Sequence, residues 1–103
     1  MNIKNMTPHL VRLNDGREFP PSGTVARVAT TCTDFDADGV CRSVFGAVTG
    51  LPAAEAGTLL IVSGMVAGAA GRADVVAPAT GHPACVRRDG QVWSVPGFVR
   101  GGI

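Results

Sequence analysis

Fourteen glycines and seven prolines punctuate this 103-residue chain, so any regular element in it must be short. Turn signals at roughly 8–12-residue spacing are the rhythm of a small sandwich or barrel. The expectation is a mainly β (or α+β) fold. It would be a small, partly closed barrel or sandwich of six to eight short strands, with one short helix near residues 63–71. A chain of this length is one domain, expected to span residues 1–103.

The strand candidates follow from β-branched content and turn residues. Residues 1–5 and 9–13 come first, split by Thr7-Pro8. Asn14-Asp15-Gly16 supplies a turn, because these residues tolerate positive φ. Phe19 to Gly23 reads as irregular, since a prolyl pair cannot sit in a central strand. Residues 24–33 alternate and are rich in Val and Thr, which favours a strand. Residues 34–39 are a loop, and 40–49 read as a strand that pairs back across it.

Residues 58–62 are a continuous apolar run and so a buried strand. Ser63 can cap a helix over 64–70, closed by Gly71. Gly64 and Gly68 each weaken that helix by about 1 kcal/mol relative to Ala, which makes sense if it packs closely on the sheet. Residues 74–77 form a strand ended by Pro78. Residues 84–88 and 91–95 flank Asp89-Gly90, the clearest hairpin signal in the chain. Pro96-Gly97 turns into a last segment at 98–100.

Composition narrows the function classes. Hydrophobic residues make up 46%, enough for a packed core. With nine basic and eight acidic residues, the net charge is +1, which argues against a DNA or RNA partner. The longest apolar stretch, residues 58–70, carries Ser and Gly and is too short to span a bilayer. Residues 1–6 lack the apolar core of a secretion signal. Three cysteines without C-x-x-C spacing fit reduced thiols, so a cytoplasmic protein is expected.

Several short motifs follow one another in a set order: Asn5-x-Thr7-Pro8-His9, Gly46-x-Val48-x-Gly50-Leu51-Pro52, Ile61-Val62-Ser63, Arg72-x-Asp74-Val75-x-x-Pro78, Val86-Arg87 before Asp89-x-x-Val92, and Gly97-Phe98. This order resembles small proteins of unassigned function encoded by phages, prophages and actinobacterial genomes. The likeness runs over most of the chain. It implies a phage-associated setting, where small accessory proteins often act as decoys, inhibitors or ligand sponges.

Candidate chemistry is sparse. Asp34-x-Asp36-x-Asp38-Gly39 matches the opening half of a calcium loop, but Phe45 stands where the bidentate Glu belongs. An acidic hairpin tip is the favoured reading, with a bound cation as the alternative. Cys32 and Cys41 bracket that loop. They are read as buried thiols, with a disulfide, or a zinc site that adds Cys85 and a His, as alternatives. His9 and His82 sit at Pro-containing turns, where a His most often bonds nearby backbone; either could instead act as a base or a ligand contact. Arg72 and Asp74 suit an ion pair, or Arg72 could offer its planar guanidinium to an anion.

There is no P-loop, G-x-S-x-G, H-E-x-x-H or G-x-G-x-x-G. The leading expectation is therefore a non-catalytic binding protein that works as a homo-oligomer, with no cofactor and no metal. Its partner would be a small anionic, nucleotide-like ligand held by His9, Ser63, Arg72, Asp74 and Thr80. A structural or protein-interaction module is the alternative, and a small hydrolase using His9 or His82 a second one.

Overall fold

The computed structural model describes residues 2–100. In chain order the elements are β1 (Asn2–Asn5), β2 (Val11–Arg12), β3 (Glu18–Phe19), β4 (Arg27–Cys32), β5 (Ser43–Thr49), β6 (Thr58–Ile61), α1 (Gly64–Ala70), β7 (Val75–Pro78), β8 (Val86–Arg88), β9 (Gln91–Ser94) and β10 (Phe98–Val99). The protein is mainly β with one short helix, as expected. None of the sheets among the described residues closes into a barrel. The strands form one four-stranded sheet, in the order β1-β6-β7-β10, and three two-stranded ribbons.

The central sheet is mixed. β1 runs parallel to β6, β6 parallel to β7, and β10 antiparallel to β7. Two parallel neighbours need a crossover, and α1 supplies it between β6 and β7. The seven-residue helix starts and stops where Ser63 and Gly71 require. Ser63 Oγ accepts the Val66 amide at 3.3 Å, and Gly71 takes the left-handed conformation with φ 58°.

β6 is the middle of the body and is covered on both sides, which is why it reads as an unbroken apolar run. Leu60, 1% exposed, packs with Val62, Val75 and Ala77 against Val66 and Ala67 of α1. Ile61 points the other way, into Val11, Leu13, Val76 and Val95. Thus the β2–β3 ribbon and the end of β9 cover one face. The helix and the base of the β4–β5 ribbon, through Val28 and Val48, cover the other.

Several boundaries differ from expectation. Phe19, expected to be irregular, joins Glu18 in β3, because it pairs with Val11 and its ring meets Phe98 edge-on at 5.9 Å. The prolines lie just beyond, with Pro21 bridged to Asn5 at the sheet margin. The strand expected over 24–33 shortens to β4, because Ala26 N donates to Met6 O and ties that stretch to the body. The strand expected over 40–49 begins only at Ser43, since Val40 N closes the turn onto Asp36. Met1 of the expected first strand lies outside the described residues. The Asp89-Gly90 hairpin is as expected, with φ of 52° and 77° at its two turn residues.

Candidate functional site

Parallel strands all end on the same side, and loops leaving that side converge. Here Thr7-Pro8-His9 leaves β1, Ser63-Gly64 follows β6, and Ala79 to His82 follows β7. Together with Leu10, Arg12, Gln91, Val92, Trp93 and Val99, these loops line an open cleft of about 1100 Å³.

The first of these loops is built by Asn5. Its side chain is buried at the end of β1. Its amide nitrogen donates to His9 O and Phe19 O, both at 2.7 Å. Its amide oxygen accepts from Thr7 N at 2.9 Å and Thr7 Oγ at 2.6 Å. The Asn-x-Thr-Pro-His motif is therefore one hydrogen-bonded turn that holds His9 on the cleft rim. The third loop is set by His82, whose Nδ1 accepts the Ala84 amide at 3.0 Å. That bond leaves Nε2 to carry the proton, a donor on the cleft wall.

The remaining wall centres on Trp93. The guanidinium carbons of Arg12 and Arg88 lie 3.9 and 4.0 Å from its ring centroid. Cation–π stacking holds both flexible side chains in place. Arg12 is also paired with Glu18, which accepts from Nε at 2.9 Å and lies 2.7 Å from Nη2, so Nη1 is the nitrogen outside that ion pair. No aspartate or glutamate lines the cleft. Its polar groups are Arg12, two imidazoles, the hydroxyls of Thr7, Ser63 and Thr80, and Gln91. Most of the rest is apolar. Such a surface suits a ligand with a flat or apolar body and an anionic end.

Five residues were expected to form the site, and three meet here: His9, Ser63 and Thr80. Arg72 and Asp74 do not. They sit before β7, and so at the opposite end of that strand from Thr80. Arg72 Nε and Nη2 bind the two Asp74 carboxylate oxygens at 2.9 and 2.6 Å, while Nη1 donates to Pro52 O at 3.0 Å. Hydrogen bonding to Arg72, outweighing burial, holds the Asp74 carboxyl below its ordinary range, and the same bond raises Arg72. The pair is a strut, with every Arg72 nitrogen engaged. The helix terminus contributes less than Ser63 suggested. α1 has only seven residues, and Ser63 Oγ already serves the Val66 amide, so only its hydroxyl proton remains to be donated.

Arg12 and Trp93 were missed by sequence reasoning. A usable signal existed: the only tryptophan lies three residues past the Asp89-Gly90 turn, on the strand that must fold back beside Arg87-Arg88. Arg12 carries no such mark, because only folding brings β2 against β9.

The other candidates resolve simply. Asp36 Oδ1 accepts the Asp38 and Val40 amides at 2.9 and 3.0 Å, so the acidic segment is a hydrogen-bonded hairpin tip. Among the described residues no group of three His, Cys, Asp or Glu converges to hold a metal ion. Cys32, Cys41 and Cys85 are free thiols. Cys32, expected to be buried, is exposed, and it pairs in register with Ser43 rather than Cys41. No described helix is long and apolar enough to cross a membrane. No protein-family model, curated protein or solved structure matches the chain.

Proposed function

We propose that this protein binds and sequesters a small anionic, nucleotide-like ligand in the cleft at the ends of β1, β6 and β7, without turning it over. It does so as a homo-oligomer in the cytoplasm, and the order of short motifs from Asn5 to Phe98 favours a phage or prophage setting. The observation that carries the reading is the acid-free cleft of about 1100 Å³ with Arg12 braced on Trp93 in its wall. Its volume is at the upper end of small-molecule pockets, and its mix of apolar wall and a few fixed donors is typical of them.

Binding is favoured over hydrolysis by the histidines. His82 spends Nδ1 on the Ala84 amide, and no carboxylate lines the cleft to orient either imidazole as a base. The first experiment is native mass spectrometry of the freshly purified protein, which reads a co-purified ligand as extra mass. Titration with nucleoside mono-, di- and triphosphates and cyclic nucleotides follows. Trp93, the only tryptophan, reports by fluorescence. At least one nucleotide should change Trp93 emission saturably, and Arg12→Gln should weaken it about tenfold or more. No extra mass and no response across the set would overturn the reading.

A further inference from the structure

Where the β4–β5 ribbon leaves the body as an arm, the surface holds a second concavity. This groove, of about 260 Å³, is lined by Met6, Val25, Ala26, Val28 and Met65, together with the exposed Arg27. No aspartate or glutamate lines it. Its walls are joints of the fold. Ala26 N donates to Met6 O at 2.9 Å, which holds the start of the arm against the end of β1. Val28 packs onto the core beneath α1, and Met65, 56% exposed, stands at the groove's open side.

The groove is continuous with the ligand cleft. Thr7, Pro8 and Ser63 line both, so they form the saddle between the two. Thr7-Pro8 follows β1 and Ser63 follows β6, two adjacent parallel strands, so the saddle is fixed to the middle of the sheet. Of its two hydroxyls, Thr7 spends its proton on Asn5 Oδ1 at 2.6 Å. Ser63 Oγ accepts the Val66 amide and keeps its proton to give. Arg27 stands on the groove side. Unlike Arg12, Arg17 and Arg72, it forms no ion pair among the described residues. A free planar guanidinium beside a surface without carboxylates suits phosphate, which it binds through two parallel N–H groups.

Size and lining say what each concavity can hold. The cleft, at about 1100 Å³, has room for a whole nucleotide and more. The groove has room for one ring system, since a cavity of roughly 150 Å³ already accepts benzene. Met6 and Met65 suit such a ring, because a thioether adapts to its shape and its sulfur makes favourable contacts at the ring edge.

We propose that the ligand is a dinucleotide. One nucleotide lies in the cleft, the base of the second lies in the groove, and the phosphate that joins them crosses the saddle between Ser63 and Arg27. This names the ligand class of the proposed function and rests on that reading. Once the first half is bound, the second binds intramolecularly. Two weak subsites then add up to a tight one, with no strong single contact needed.

The test is calorimetric titration of the full chain with 5′-phosphorylated homodinucleotides of adenine, guanine, cytosine and uracil. Each is run beside its own nucleoside monophosphate. For at least one base the dinucleotide should bind about tenfold or more tighter than the monophosphate. The double substitution Arg27→Gln, Met65→Ala should abolish that advantage and leave the monophosphate affinity unchanged, since neither residue lines the cleft. Both side chains are exposed, and circular dichroism checks that the variant is folded. A monophosphate that binds as tightly as its dinucleotide, or an advantage that survives the double substitution, overturns this inference and leaves the proposed function standing. Silence from both sets also overturns it, and the wider nucleotide titration then decides the proposed function.

Discussion

The body and the arm are made of similar residues with opposite fates. β6 is Thr-Leu-Leu-Ile, and β5 is Ser-Val-Phe-Gly-Ala-Val-Thr. Leu60 in β6 is 1% exposed, while Phe45 in β5 is 53% exposed. The ladder hydrogen bonds satisfy the backbone in both places. The difference is what lies above and below the sheet. β6 has α1 on one face and the β2–β3 ribbon on the other, and the distal arm has neither. Strand pairing alone is therefore a weak source of stability here, and side-chain burial against a second layer is the strong one.

Substitutions can break this contrast in order of size. Leu60→Ala should cost about 3 kcal/mol, because it opens a cavity among residues that cannot close over it. Chemical denaturation reads that as a lower midpoint with little change in slope. Equal sensitivity at Val44 in the arm would collapse the distinction. Asn5→Ala should cost about 2 kcal/mol, since two carbonyls and the Thr7 groups lose their partner in a buried turn. It should also weaken ligand binding, by freeing the loop that carries His9. Intact nucleotide affinity in a destabilised Asn5→Ala protein would separate turn from cleft.

The Arg72–Asp74 strut tests the body at its other end. Arg72→Ala should cost about 1–2 kcal/mol near neutral pH. The folded Asp74 value is depressed below its ordinary 3.8. Its stabilisation is therefore full above that value and is lost as pH falls through the folded one. The gap between wild type and Arg72→Ala should thus close in acid. A gap that is constant with pH would mean the Pro52 contact, not the carboxylate, supplies the stability. Smallest of all, Val44→Thr should shift the unfolding midpoint of the monomer by no more than about 0.5 kcal/mol equivalent, as for other exposed sites.

Local signals in the chain were legible where chemistry acts over a few residues. Ser63 and Gly71 marked both ends of α1, and Asp89-Gly90 marked its hairpin, because capping and positive φ depend on neighbours alone. The closing of the acidic turn by Asp36, which accepts the Asp38 and Val40 amides, is local in the same way. What escaped were contacts between distant segments. Phe19 became a strand residue through Val11 and Phe98, and Arg12 became a wall of the cleft through Trp93. Arg72 left the expected site because the strand direction carries Thr80 away from it, a fact that no spacing records.

By itself the sequence determined the class of the fold, the position of its one helix, its turns and the unbroken apolar strand at its centre. Each follows from the stereochemistry of adjacent residues or from simple periodicity. Only the tertiary structure decided that β1, β6 and β7 run parallel, that their loops share one end, and that β4 and β5 stand clear of the body. Strand direction and layer stacking are set by which apolar faces can be buried together, and that is a property of the whole chain.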